Sequence, residues 1–169
     1  NNKTKALITV DLKNCLRDAS VSDTNGSSNT ENGYMNSTGT NSGGWKSSAR
    51  RAWCNNAFYN ALPSAIKSLV KTVTKTSGVG SGLSSTETTQ DFAFLLSEKE
   101  IFNTTIHSVS GEGTQYLLYA NAASNICKNP KWNGTATSSY MWMRSAPPSI
   151  SVTFAAVDAN GSSNTISQA

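Results

Sequence analysis

Three observations predict an α+β fold of short helices packed on small antiparallel sheets, joined by long irregular loops. Short helical patterns come first and strand patterns gather at the end of the chain. Ser97 and Glu100 stand at capping-box spacing and start a helix in mid-chain. Asn160-Gly161, after an extended run, is a strong hairpin-turn signal. At 169 residues the chain reads as one domain over 1–169, long enough to bury a real core.

Residues 6–12, ALITVDL, alternate as a strand, and the Ser/Thr/Asn/Gly-rich stretch from Asp18 to Gly44 reads as a long loop. Trp45, Ala49, Ala52, Trp53 and Ala57 then form one apolar stripe at helical spacing, with Ser47 or Ser48 as the cap. Pro63 opens a second short helix with Ile66, Leu69 and Val70 turned inward. Residues 70–76 and the apolar run 91–96 are expected to pair as a hairpin with a long loop. The capping box opens a helix reaching Phe102. Residues 115–127 read as a further helix with Tyr116, Tyr119, Ala120, Ala123 and Cys127 on one side, and 130–138 as a turn region. Residues 140–144 and 151–158 are the closing strands. Trp142 is expected inside, with Arg144 on the same face held by a carboxylate or by carbonyls; Tyr140, Met141 and Met143 are then partly exposed.

Composition limits the function. Charged residues are 14% of the chain, well below the usual quarter, so solubility rests on Ser, Thr and Asn, a surface typical of exported, virion or cell-surface proteins. The net charge of +4 is scattered, with no aromatic-basic platform, which argues against a nucleic-acid partner. No stretch is long and apolar enough to span a membrane. The opening NNKTKALITV does not read as a signal peptide, and the expectation is a piece of a longer chain or another export route. Cys15, Cys54 and Cys127 are far apart and read as small buried hydrophobes, an odd count that leaves at least one thiol unpaired.

Catalysis needs titratable or nucleophilic groups held together. His107 is the only histidine and reads as a surface or structural residue; Glu98 and Glu100 are accounted for by helix capping and the helix dipole, and Glu112 by a turn between two glycines. GVGSGLSS lacks the lysine of a phosphate-binding loop. Acidic residues are too sparse for a calcium cage, so no metal and no cofactor is expected, and the chain is read as a non-enzyme.

The ordered segments STGTNSGGWKSSARRAWCN, YNALPSAIKSLVKTVTKT, FLLSEKEIF, GEGTQY and YMWMRSA resemble an uncharacterised domain family of secreted and phage-encoded proteins of gut bacteria. That family is similar to the C-type-lectin-like domains of formylglycine-generating enzymes and of the variable proteins of diversity-generating retroelements. The resemblance covers residues 6–169 and implies a C-type-lectin-like fold; Trp45, Trp53, Trp142 and Arg144 read as structural from their own helical and strand spacing. It implies ligand-facing residues after the Trp-x-Arg-Ser strand, which here are Pro147, Pro148, Ser149, Ile150, Ser151, Thr153, Phe154, Ala156, Asp158, Asn160, Ser162 and Asn164 within 147–167. Family members continue with a Gly-Val-x-Pro-Gly-Phe strand and begin with another hairpin, so the chain is expected to be clipped at both ends.

The implied function is ligand recognition: a phage receptor-binding or host-attachment module whose variable surface binds a host-cell surface protein or glycan. It would sit at a virion tail or fibre tip, or on the cell surface, as a homo-oligomer such as a trimer within a larger assembly. Two alternatives stay open. One is a bacterial secreted or surface adhesin of the same fold. The other is an enzyme with a degenerate formylglycine-generating site, which the lone Cys127 in the final third disfavours. Trp132-Asn133-Gly134 lacks the carboxylate of the calcium-dependent sugar-binding loops of lectins.

Overall fold

The structure, a computed structural model, describes residues 8–10, 14–15, 35–36, 38–122, 131–132 and 140–167. It is mixed α and β, with short helices and small sheets. Asn14–Cys15 (β1) pairs in parallel with Lys131–Trp132 (β4). Val73–Gly78 (β2) and Thr86–Asp91 (β3) form an antiparallel hairpin, and Met141–Trp142 (β5), Thr153–Val157 (β6) and Ser163–Ser167 (β7) form a three-stranded antiparallel sheet in that order.

The helices follow local chemistry. Gly44–Ser47 (α1) is followed by Ala49–Trp53 (α2), and Ser48 caps α2 by accepting from the Arg51 N–H. The helix runs on through a π-helical turn, Cys54–Phe58, into Tyr59–Ala61 (α3). That wider turn coincides with Asn55, whose amide oxygen accepts from the Phe92 N–H and whose amide nitrogen reaches Asp91 and the Ala93 carbonyl. The apolar stripe is partly as expected, since Trp45 is fully buried; Ala52, however, faces solvent and Cys54 takes the inward place. Pro63 stands at the N-cap of Ser64–Lys67 (α4), but the helix ends before Leu69 and Val70, and Ile66 and Leu69 are exposed.

At Glu98–Phe102 (α5) both halves of the capping box form, Ser97 accepting from the Glu100 N–H and Glu100 from the Ser97 N–H. The expected helix over 115–127 is reduced to Leu117–Ala120 (α6) within the described residues, and Cys127 lies outside them. Residues 8–10 are not a strand, and Ile8 and Val10 are exposed; the rest of 6–12 lies outside the described residues.

The hairpin forms with a different second strand. β2 pairs with the polar TETTQD, so of the expected run 91–96 only Asp91 takes part, and the reason is where the backbone groups go. The Phe92 N–H is taken by Asn55, and the Leu95 and Leu96 carbonyls are taken by Arg144, so these groups are not offered to a ladder. Phe94 and Leu95 instead pack on a core cluster of Met35, Trp45, Cys54, Ala146 and Phe154, joined by Trp53 and Trp142. A second cluster holds Ile101, Tyr119, Met143, Ala155 and Val157.

β6 lies between the two clusters. Phe154 enters one, Ala155 and Val157 the other, so residues 154–157 are fully buried. Beside it, β5 ends in a bulge. The Met143 N–H binds the Ala155 carbonyl and the Ala155 N–H binds the Ser145 carbonyl, while the Arg144 N–H leaves the ladder for the Leu96 carbonyl. The bulge turns consecutive residues inward. Met143, expected at least partly exposed, is therefore fully buried, and so is Arg144; Trp142 is half-buried against the first cluster, and Tyr140 is exposed.

Candidate functional site

Two features stand out in the described residues: a buried ionic network, and a loop held from outside by one asparagine. The network centres on Arg144. Its Nε donates to Ser77 Oγ at 3.0 Å, one terminal nitrogen donates to the Leu95 carbonyl at 3.0 Å and to Glu100, and the other donates to the carbonyls of Thr76 at 3.3 Å and Glu112 at 2.8 Å. All five N–H groups of the guanidinium are thus used. Glu100 also binds Lys75 Nζ at 2.9 Å; that ammonium reaches Tyr116 Oη at 3.0 Å and lies 3.9 Å from the Phe94 ring centroid. Burial acts to raise the Glu100 carboxyl, but the hydrogen bonds and charges of Arg144 and Lys75 together outweigh it and hold the carboxyl below its ordinary range.

Glu112 is fully buried, not the plain turn residue its flanking glycines suggested. Gly111 and Gly113 take φ of +94° and +116°, and a Cβ at Gly113 would lie 2.9 Å from Glu100 Oε1. The glycines therefore let the chain fold back and drive the carboxylate inward. It accepts from the Gly78 N–H at 2.9 Å and from Ser145 Oγ. Burial pushes the Glu112 carboxyl up, and Ser145, Gly78, Arg144 and Val109 only partly offset this. Glu98, fully buried, accepts from the His107 N–H at 2.8 Å, Ser108 Oγ at 2.7 Å and Ser163 Oγ at 2.5 Å, so it ties a loop and β7 to α5 beyond any dipole role. Asp91, also buried, accepts from Trp45 Nε1 at 2.9 Å and pairs with Arg51 Nε at 2.6 Å. A cleft of about 280 Å³ lies between β2 and residues 111–116, floored by Lys75, Glu100 and Arg144.

The second feature is Asn41. Its amide nitrogen lies 3.2, 2.7 and 2.9 Å from the carbonyls of Pro147, Ile150 and Thr153. Its main-chain N–H donates to the Ser151 carbonyl at 2.7 Å, and its amide oxygen accepts from the Ser81 N–H at 2.8 Å. One fully buried side chain thus fixes both the 147–153 loop and the β2–β3 turn. Gly80 fits beside it with φ +69°; a Cβ there would be 2.2 Å from the Asn41 carbonyl oxygen.

The structure divides the expected ligand-facing set. Ser149, Ile150 and Ser151 are exposed, Pro148 and Thr153 half-buried and Pro147 buried. Phe154 and Ala156 are fully buried in β6 and cannot face a ligand while the domain is folded. Asp158, Asn160, Ser162 and Asn164 lie at the other end of that strand. There Asp158 accepts from the N–H groups of Asn160 and Ser162, Asn160 is exposed, and the half-buried Asn164 accepts from the Thr165 N–H. Five residues of β6 put about 17 Å between the two ends. The expected surface is two surfaces. Of the expected structural residues, Trp45 and Arg144 are fully buried, and Trp53 and Trp142 pack against the first cluster.

Sequence reasoning missed Asn41, Lys75, Asp91 and Ser145. Only Glu112 carried a local signal, its two glycines; the others act through partners far along the chain.

Fold and site together define a mixed α and β domain pinned by buried charges, with one exposed loop braced by Asn41. The chain belongs to the domain family of unknown function DUF6273, which matches residues 5–169. No curated protein and no solved structure is similar to it at a significant level.

Proposed function

We propose that this is a recognition domain of C-type-lectin-like type that binds a cell-surface protein or glycan. Its context is host attachment, on a virion or a bacterial surface. The carrying observation is the 147–153 loop: its carbonyls are fixed by Asn41 while Ser149, Ile150, Ser151 and Val152 face solvent. A backbone fixed before binding loses little freedom on binding, which is how a small exposed loop gains affinity. The reading is of a binder and not an enzyme, because the buried ionisable groups serve one another. Arg144 has no donor left for a substrate, and Lys75 is committed to Glu100, Tyr116 and the Phe94 ring. The surface is narrowed to the 149–152 end, where the exposed residues lie together.

The test is binding of fluorescently labelled protein to a panel of gut bacterial strains, with wild type compared against a variant shuffled at 149–152. Selective binding lost in the variant is expected. Equal binding by both removes this loop as the surface, and no binding to any strain removes the attachment context.

A further inference from the structure

The ion pairs of the buried network do not balance. Lys75 and Arg144 both pair with Glu100, one on each of its oxygens, so two cations share one carboxylate. The other carboxyl of the network, Glu112, pairs with neither. Its side chain faces the Gly78 and Val109 N–H groups and Ser145 Oγ, and Arg144 reaches only its main-chain carbonyl. Burial also pushes that carboxyl toward its neutral form. One positive charge is left over in a place where charges are costly unless paired.

The surplus lies at the floor of the cleft of about 280 Å³ between β2 and residues 111–116, close to the lower end of small-ligand sites at about 300 Å³. Lys75 lines this cleft and keeps 10% of its side chain exposed. An ammonium has three N–H groups, and Glu100 Oε1 and Tyr116 Oη take two of them. The Phe94 ring meets the ammonium with a π face, which brings no counter-charge. The Tyr116 hydroxyl accepts from Lys75, so its own proton remains to be donated, and no acceptor for it stands among the described residues. Thr76 and Thr114, also in the lining, likewise have hydroxyls without a partner among the described residues.

We propose that this cleft binds a small monoanionic carboxylate carrying hydroxyl groups, in chemical class a sugar acid. The carboxylate accepts from Lys75 and Tyr116 and balances the surplus charge, while the ligand hydroxyls meet Thr76 and Thr114. One negative charge fits better than two, because Glu100 already stands 2.9 Å from the same ammonium. Arg144 supplies charge but no donor, and no bond of the network is broken. The site uses none of residues 149–152, so it stands apart from the recognition reading.

The test is isothermal titration calorimetry of the whole chain with glucuronate, glucose and inorganic phosphate as probes. Wild type is compared with Thr114→Asp and Tyr116→Phe. Thr114 is exposed, so Asp there sets a negative charge in the cleft lining and leaves every bond of the network in place. Tyr116→Phe removes the hydroxyl and keeps the ring. Circular dichroism confirms that both variants fold. Glucuronate is expected to bind at least about tenfold more tightly than glucose or phosphate, and to lose at least about tenfold in Thr114→Asp and severalfold in Tyr116→Phe. Four results each overturn the proposal. Glucose binding as tightly as glucuronate removes the role of charge, and phosphate binding more tightly removes the carboxylate. Glucuronate binding unchanged in both variants moves it outside the cleft. Binding of none of the probes shows that water and dissolved ions meet the surplus charge.

Discussion

Replacing Arg144 by Met keeps the length of the side chain, removes its charge and leaves its acceptors behind. Glu100 retains Lys75 on one oxygen at 2.9 Å and the Ser97 N–H on the other, but that second oxygen, Ser77 Oγ and the Thr76, Leu95 and Glu112 carbonyls each lose a donor in a buried or part-buried place. Breaking a buried ion pair by removing one partner costs about 3–5 kcal/mol. The retained Lys75 bond places the loss nearer about 3 kcal/mol, a large share of a total of about 5–15 kcal/mol. At about 2–4 °C per kcal/mol for a domain of this size, the melting temperature falls by roughly 10 °C. Arg144→Lys keeps the charge with three donors for five acceptors, so it loses less, about 1–3 kcal/mol. The assay is urea unfolding of wild type, Arg144→Met, Glu100→Gln and the double variant. A coupling of at least about 1 kcal/mol between the two positions is expected. A loss under about 1 kcal/mol in Arg144→Met, or strict additivity in the double variant, refutes the claim that this network holds the fold.

Two further outcomes follow from the same network. Ser97→Ala removes both the acceptor for the Glu100 N–H and the donor to the Glu112 carbonyl, so it is expected to lose about 1–2 kcal/mol, read as a lower urea midpoint with unchanged slope. A shift of only a few tenths of a kcal/mol would show that α5 does not need its cap. Glu112→Gln tests the raised carboxyl. A carboxyl raised in the folded state contributes stability below its unfolded value, near 4.5, and that contribution is lost as pH rises through the folded value. The variant cannot ionise, so its melting temperature relative to wild type should rise with pH above about 4.5. Glu100, lowered, acts in the opposite sense in both proteins: its contribution is present above about 4.5 and lost as pH falls through its folded value. A difference between variant and wild type that stays flat from roughly pH 4 to 8 rules out the raised Glu112.

What could be read in advance was local. Ser97 and Glu100 are three residues apart, so their capping box needs only helix geometry; Ser48, Pro63 and the Asp158–Gly161 turn behave the same way. The inward Arg144, held by a carboxylate and carbonyls, followed from the expense of burying a charge alone. What escaped depends on distant partners. Asn41 acts on carbonyls 106 to 112 residues away, and no spacing in its own neighbourhood reports that. The resemblance puts Phe154 and Ala156 at the surface, but β6 has a core cluster on each face. The run 91–96 reads as a strand by hydrophobicity, yet the Phe92 N–H and the Ala93, Leu95 and Leu96 carbonyls are bound by Asn55 and Arg144.

The brace at Asn41 bears on how this domain can change over generations. Every group that Asn41 holds is a main-chain carbonyl or amide, and carbonyls are common to all residue types. The side chains at 149–152 are therefore not what secures the loop, and substitutions there leave its anchoring untouched. Residue identity at those positions is free to drift or be selected while the anchoring of the loop stays nearly constant, which separates change at the surface from change in the fold.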